Sequence, residues 1–206
     1  GGGSHPLPLP LSSSSSNPRW KVRIDPPAEV PPAEVVEGVL WHGSLEHAHS
    51  LCTVQALRIT HIVNVSRDTR RPFQHFITYC THHVSDSVRS DLLSFFPKAF
   101  DFIDASRTHL PHARVLVHCA GGVSRSTAVV ASYLMRKEGL TVLEALAKIR
   151  AIHPAAAPNR GFMQQLLTLE RSLGLSSRAT VPVSPLPATP AAEERERPAG
   201  GKWATT

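Results

Sequence analysis

Val115-Leu116-Val117-His118-Cys119-Ala120-Gly121-Gly122-Val123-Ser124-Arg125-Ser126 sets an apolar run, a cysteine, two adjacent glycines and an arginine in one short stretch. Val115–Val117 is continuously apolar, as a strand buried on both faces is. From Ser124 to Lys137 apolar residues recur at helical spacing, and Gly139 closes the pattern. The chain between them must turn within a few residues. Glycines let successive backbone N–H groups face a common concavity, and the N-terminus of the following helix adds a partial positive charge. Arg125 supplies a planar fork that matches two oxygens of a tetrahedral dianion. Cys119 lies at the floor of that cradle. A free thiol titrates near pH 8.5, but a helix N-terminus and a neighbouring cation pull it down. A thiolate, an anion nest and an arginine together describe a nucleophile aimed at phosphorus. A buried cysteine can also be an inert small hydrophobe, but that reading leaves the spacing from Cys119 to Arg125 unexplained.

Working outward, apolar runs alternate with helical patterns. Val39–Gly43, Ile59–Val65 (ITHIVNV) and Phe76–Val84 read as strands, and Leu45–Arg58 reads as a helix. Asp91–Ile103 carries apolar residues at helical spacing, with Pro97 restricting it to the first turns or a kink. Thr141 and Glu144 fit a capping box that opens a helix over Val142–Ile152, and a last helix is expected over Asn159–Leu173. Strands alternating with helices imply an α/β domain. Its centre is a mostly parallel twisted sheet of about 4–5 strands with helices on both faces.

Composition divides the chain. Residues 1–37 and 175–206 are rich in Pro, Ser, Gly and Ala, and Pro-Pro-Ala-Glu-Val occurs twice in succession at 26–30 and 31–35. Such sequence buries too little apolar surface to offset its ordering entropy, so both stretches are expected to be flexible tails around a domain at 38–174. That domain holds 15 Lys/Arg against 9 Asp/Glu, essentially the whole formal charge of +6, which suits an anionic ligand. No basic run or aromatic-interleaved basic patch marks a nucleic-acid binder, and no apolar run is long enough to span a bilayer. Cys52, Cys80 and Cys119 are too few for a disulfide framework, which points to a reducing compartment: the cytoplasm, with the nucleus as the second choice.

His118-Cys119-Ala120-Gly121-Gly122-Val123-Ser124-Arg125-Ser126 resembles the signature loop of the protein tyrosine phosphatases in its dual-specificity form. The resemblance extends over roughly residues 38–174, taking in EGVLWHGSLEHA and ITHIVNVS before the loop and Asn159-Arg160-Gly161-Phe162-Met163-Gln164-Gln165-Leu166 after it. It implies that Cys119 attacks phosphorus to give a phosphocysteine. Arg125 and the backbone of Ala120, Gly121, Gly122, Val123 and Ser124 would hold the phosphoryl oxygens. Ser126 would bond the cysteine sulfur, and His118 would orient the loop rather than act as a base. The mechanism needs no metal and no cofactor. A small, atypical member is implied, with phosphorylated protein as its partner.

A departing phenolate or alkoxide needs a proton, and the sequence offers Asp86 and Asp91. Asp86 falls in a loop that can overhang the cradle, whereas Asp91 opens a helix, where a carboxylate commonly caps. The resemblance assigns the acid to Asp86 and gives Asn159 a bracing role, against that of an ordinary N-cap.

Ala120 to Ser124 contain no lysine, which disfavours an inositol headgroup. A phosphoprotein-binding pseudophosphatase is the competing class, and a phosphatase for RNA 5′-phosphates or glycans is a third. Arg67, Arg70 and Arg71 share one loop that either meets an acidic substrate flank or is simply solvated. The twelve histidines lack metal-ligand spacing: His82 and His83 are adjacent, and His47 and His49 are not at i, i+4. Cys52 and Cys80 are either inert or oxidative partners of Cys119.

Overall fold

The computed structural model describes residues 30–175. The remainder of both expected tails lies outside the described residues.

Leu40–Gly43 (β2), His61–Asn64 (β3), Thr78–Thr81 (β4) and Val115–His118 (β5) form the parallel part of a five-stranded sheet, and Ala33–Val36 (β1) completes it in the order β1-β2-β5-β3-β4. β5 is central, in register with β2 (Gly43 opposite His118) and with β3 (Asn64 opposite His118). The strand alternation assigns its side chains: Val115 and Val117 join the main core with Val63 and Val65, while Leu116 joins Trp41, Ile62 and Ile77 on the opposite face. Every residue of β5 is buried, which is why its sequence lacks a polar face.

The main core lies under Phe96–His109 (α3), Arg125–Glu138 (α4), Val142–Ile152 (α5) and Arg160–Ser172 (α6). α4 is buried all round from Arg125 to Met135, so its small residues Ala128, Ala131 and Ser132 alternate with Val129, Val130, Leu134 and Met135 to fit among three neighbouring helices and the sheet. Gly139 ends it at φ 68°, donating its N–H to the Met135 carbonyl. The expected capping box opens α5, with Glu144 accepting from the Thr141 N–H at 2.8 Å.

The structure corrects five expectations. The single helix over Leu45–Arg58 is two, Leu45–His49 (α1) and Leu51–Ala56 (α2). Ser50, extended at ψ 111°, breaks the run because its hydroxyl caps α2 by accepting from the Thr53 N–H at 3.1 Å. The strand expected over Phe76–Val84 is confined to Thr78–Thr81, since Phe76 and Ile77 bond back to the Phe73 carbonyl in a turn. α3 begins at Phe96 rather than Asp91, with Pro97 in its first turn, where a missing N–H costs nothing. The stretch expected to be a flexible tail up to residue 37 includes β1, which pairs antiparallel with β2. Val35 anchors it in the main core, Gly38 turns the hairpin at φ 65°, and the prolines before it suit an edge strand. At the other end Leu175 is also core: its N–H bonds the Glu170 carbonyl across the left-handed Gly174, so the folded part runs one residue beyond the expected 174.

Candidate active site

β5 delivers Cys119 to the carboxyl edge of the sheet, and the loop to Ser124 returns the chain to the N-terminus of α4. The carbonyls of this loop are occupied from outside. Ala120 O accepts from the Leu45 N–H at 3.0 Å, Gly122 O from His153 Nε2 at 2.9 Å, and Val123 O from both the Ala157 N–H at 2.8 Å and the Thr127 hydroxyl at 2.7 Å. The Cys119 carbonyl meets His118 Nδ1 at 3.2 Å. Peptides whose carbonyls are held outward turn their N–H groups to the concave side. Only Gly122 of the glycine pair needs its residue type. It sits at φ 69°, and a Cβ there would stand 3.0 Å from the Gly43 backbone.

Cys119 is 1% exposed. Burial pushes its thiol up, but the Ser126 hydroxyl at 3.2 Å, the backbone N–H groups of Ser126 and Gly122, and the Arg125 charge outweigh it and bring the thiol below its ordinary range. His118, by contrast, is lowered to about 4, chiefly by burial, and its Nδ1 meets the Cys119 carbonyl.

Arg125 is fixed by its Nη1 donating to the Val84 carbonyl at 3.0 Å. Its buried Nε has no hydrogen-bond partner and lies 3.7 Å from Asp86 Oδ2. A buried guanidinium N–H without an acceptor at the rim of an anion nest is what a phosphoryl oxygen would satisfy.

Asp86 is brought to the loop and Asp91 is not. Asp86 Oδ1 accepts from Ser124 Oγ at 2.8 Å and Asn159 Nδ2 at 2.7 Å. The Asp91 carboxylate accepts from the Ser94 N–H at 3.1 Å and from the Ser94 hydroxyl, which accounts for it as a turn cap and lowers its pKa. Asn159 serves both roles that the sequence left open. Its Oδ1 caps α6 at the Phe162 N–H, 3.1 Å away, and its Nδ2 holds Asp86. α6 also anchors the loop that carries Asp86. Gln165 Oε1 accepts from the Leu92 and Leu93 N–H groups at 2.8 Å, its Nε2 donates to Ser90 O at 2.7 Å, and Gly161 packs so closely on Val88 that any Cβ would collide.

The weaker sequence candidates fall elsewhere. Arg70 pairs with Asp68 at 2.6 Å, Arg71 reaches Thr81 at 3.3 Å, His82 stacks on Phe95, and His47 accepts from the Ser44 N–H at 2.9 Å. Cys80 sits two strands from β5, level with Val117 through Val63. Strand spacing puts that separation at about 10 Å, with Cys119 two residues further along, too far for a disulfide without breaking the sheet. Sequence reasoning missed His42, whose Nε2 lies 3.0 Å from Ser126 Oγ, and His153. The available signal was a polar residue inside a strand with no solvent face.

A cysteine with a lowered thiol pKa at the end of a central parallel strand, cradled by a loop that closes on a buried arginine, is the arrangement of the cysteine-based protein tyrosine phosphatase superfamily. Residues 40–172 match the family described as dual specificity phosphatase, catalytic domain, and the chain belongs to that family. It is 38% identical over 136 residues to Dual specificity protein phosphatase 19 of Mus musculus, covering 66% of this chain and 61% of that protein, less than two thirds of its length. Dual specificity protein phosphatase 1 of Arabidopsis thaliana is 34% identical over 144 residues, 70% of this chain and 72% of that protein. Among solved structures, human DUSP28 superimposes with a TM-score of 0.65 at 30% identity, covering 72% of this chain and 98% of that one. No helix among the described residues is long and apolar enough to cross a membrane.

Proposed function

We propose that this protein hydrolyses phosphotyrosine and phosphoserine or phosphothreonine on protein substrates through a phosphocysteine on Cys119. One observation carries the reading: the Cys119 sulfur receives the Ser126 hydroxyl and two backbone N–H groups at the floor of a loop whose arginine has a buried Nε without a hydrogen-bond partner, 3.7 Å from the Asp86 carboxylate. Cys119 Sγ attacks phosphorus as the P–O bond to the substrate breaks, and Asp86 gives its proton to the leaving oxygen. Water then attacks phosphorus, passing its proton to Asp86, and the S–P bond breaks with the electron pair returning to sulfur. Arg125 and the loop N–H groups bind the three phosphoryl oxygens through both steps. The loop carries no lysine, and this favours a phosphoprotein over a more highly charged headgroup. The cytoplasm or nucleus suits a thiol nucleophile that must stay reduced.

Hydrolysis of para-nitrophenyl phosphate at mildly acidic pH, with reductant and chelator, tests the reading beside Cys119→Ser. Activity that resists the chelator and disappears in the variant is expected. Folded wild-type protein that binds phosphopeptide without turnover would replace this reading with that of a phosphoprotein-binding module.

A further inference from the structure

His42 lies in β2 between β1 and β5 and is 1% exposed, a titratable side chain in a strand with no solvent face. Its Nε2 stands 3.0 Å from Ser126 Oγ and 3.3 Å from Thr127 Oγ1, both in the first turn of α4. Each hydroxyl has one hydrogen to give. Thr127 gives its hydrogen to the Val123 carbonyl at 2.7 Å, and Ser126 directs its own to the Cys119 sulfur at 3.2 Å. The ring nitrogen that faces both oxygens must therefore carry a hydrogen itself. This fixes the Nε2–H tautomer and leaves Nδ1 as a lone pair, in accord with its lack of a hydrogen-bond partner. Burial, with His153 and His47 as the neighbouring titratable groups, keeps the ring neutral. His153 packs edge-on against it at 4.9 Å between centroids and bonds Gly122 O through its own Nε2.

We infer that His42 is a positioning residue for the thiolate. Its Nε2–H occupies the Ser126 oxygen, so that the hydroxyl hydrogen is directed to the Cys119 sulfur, and it polarises that hydroxyl into a stronger donor. The inference rests on the phosphocysteine reading for its functional consequence. When the S–P bond breaks and the electron pair returns to sulfur, the growing charge lies where this hydroxyl points. The chain His42 Nε2–H, Ser126 O–H, Cys119 Sγ thus couples β2 to the leaving thiolate.

The test compares His42→Leu, which fits an apolar strand but donates nothing, with His42→Gln, whose amide nitrogen reaches the Nε2 position. Each is made alone and with Ser126→Ala. The readouts are the pH profile of iodoacetamide alkylation at Cys119, followed by peptide mass spectrometry, and the burst of para-nitrophenol before steady state. H42L is expected to raise the apparent thiolate pKa by about half a unit to one unit. It should also slow the steady state roughly three- to tenfold relative to the burst, while H42Q stays close to wild type. With Ser126→Ala present, H42L should add nothing. Identical alkylation profiles for H42L and wild type, or a shift that persists undiminished without Ser126, would overturn the inference. If H42L does not fold, H42Q against His42→Asn makes the same comparison, since the Asn amide stops at the Nδ1 position. Alkylation needs no turnover, so it reports on His42 even if the protein proves not to hydrolyse phosphate.

Discussion

Asn159 donates its side-chain N–H to Asp86 at 2.7 Å while its own carbonyl oxygen caps α6 at the Phe162 N–H, 3.1 Å away. One amide therefore joins Asp86 to the helix that also grips the Asp86 loop through Gln165. Replacing Asn159 with Ala should remove both bonds, costing about 1 kcal/mol through the cap. It should also lower kcat on aryl phosphates with poor leaving groups about tenfold by releasing Asp86. Asn159→Asp keeps the cap but sets a second carboxylate beside Asp86, so it should melt near wild type and yet shift the basic limb of the rate profile upward. Equal leaving-group dependence in wild type and Asn159→Ala would assign the bond to stability alone.

Asp86 itself should behave as a proton donor rather than a binding group. Asp86→Ala is expected to lower kcat roughly 100-fold or more for a poor leaving group, with KM nearly unchanged. Its sensitivity to leaving-group pKa should become steep, because the departing oxygen must then leave as an anion. Asp91→Ala, whose carboxylate caps its own turn at Ser94 and the Leu93 backbone, should alter stability slightly and the chemistry not at all. The reverse outcome would transfer the acid to Asp91.

Gly121 and Gly122 look alike in sequence and should behave differently. Gly122→Ala puts a side chain at φ 69° and a Cβ 3.0 Å from the Gly43 backbone, a cost of about 1–3 kcal/mol that must be met by opening the loop. At Gly121 the nearest atom to an added Cβ is Val123 Cγ2 at 3.8 Å, and φ is not positive. Vanadate inhibition should weaken by an order of magnitude or more in Gly122→Ala and change little in Gly121→Ala. Thermal melting should show the same contrast.

The parallel sheet was legible because β5 is buried on both faces and so opens on a continuous apolar run, and because β3 lies in a β-branched stretch around Ile62 and Val63. The loop was legible because cysteine, glycine and arginine each answer a separate chemical need at fixed spacing. Local polar competition was harder to read. Ser50 looks like any residue within a helical pattern until its hydroxyl is seen to cap the second half. β1 was hidden by its prolines, since composition described Pro-Pro-Ala-Glu-Val well and missed the single Val35 that pins it to the core. His42 was hidden for a different reason: its partner Ser126 is 84 residues away, and only the register of β2 on β5 brings the two together.

That register also has a consequence for acid stability. His42 is lowered from 6.5 to about 3 and His118 from 6.5 to about 4, in both cases chiefly by burial. Between pH 6.5 and these values the unfolded chain binds the protons and the folded chain does not. The contribution is therefore complete above pH 6.5 and is lost as pH falls through the window. At pH 5 the loss is about 2 kcal/mol for each histidine, with His49 and His61, also lowered by burial, adding in the same direction. Urea unfolding at pH 7, 6 and 5 should show stability falling with acid, and His42→Leu should make that slope shallower whatever it does to stability at pH 7. A wild-type stability that stays level from pH 7 to pH 5 would mean that the folded protein protonates these rings as readily as the unfolded chain does. His42 would then be an imidazolium with a second hydrogen on Nδ1, in a place where the structure provides no acceptor for it.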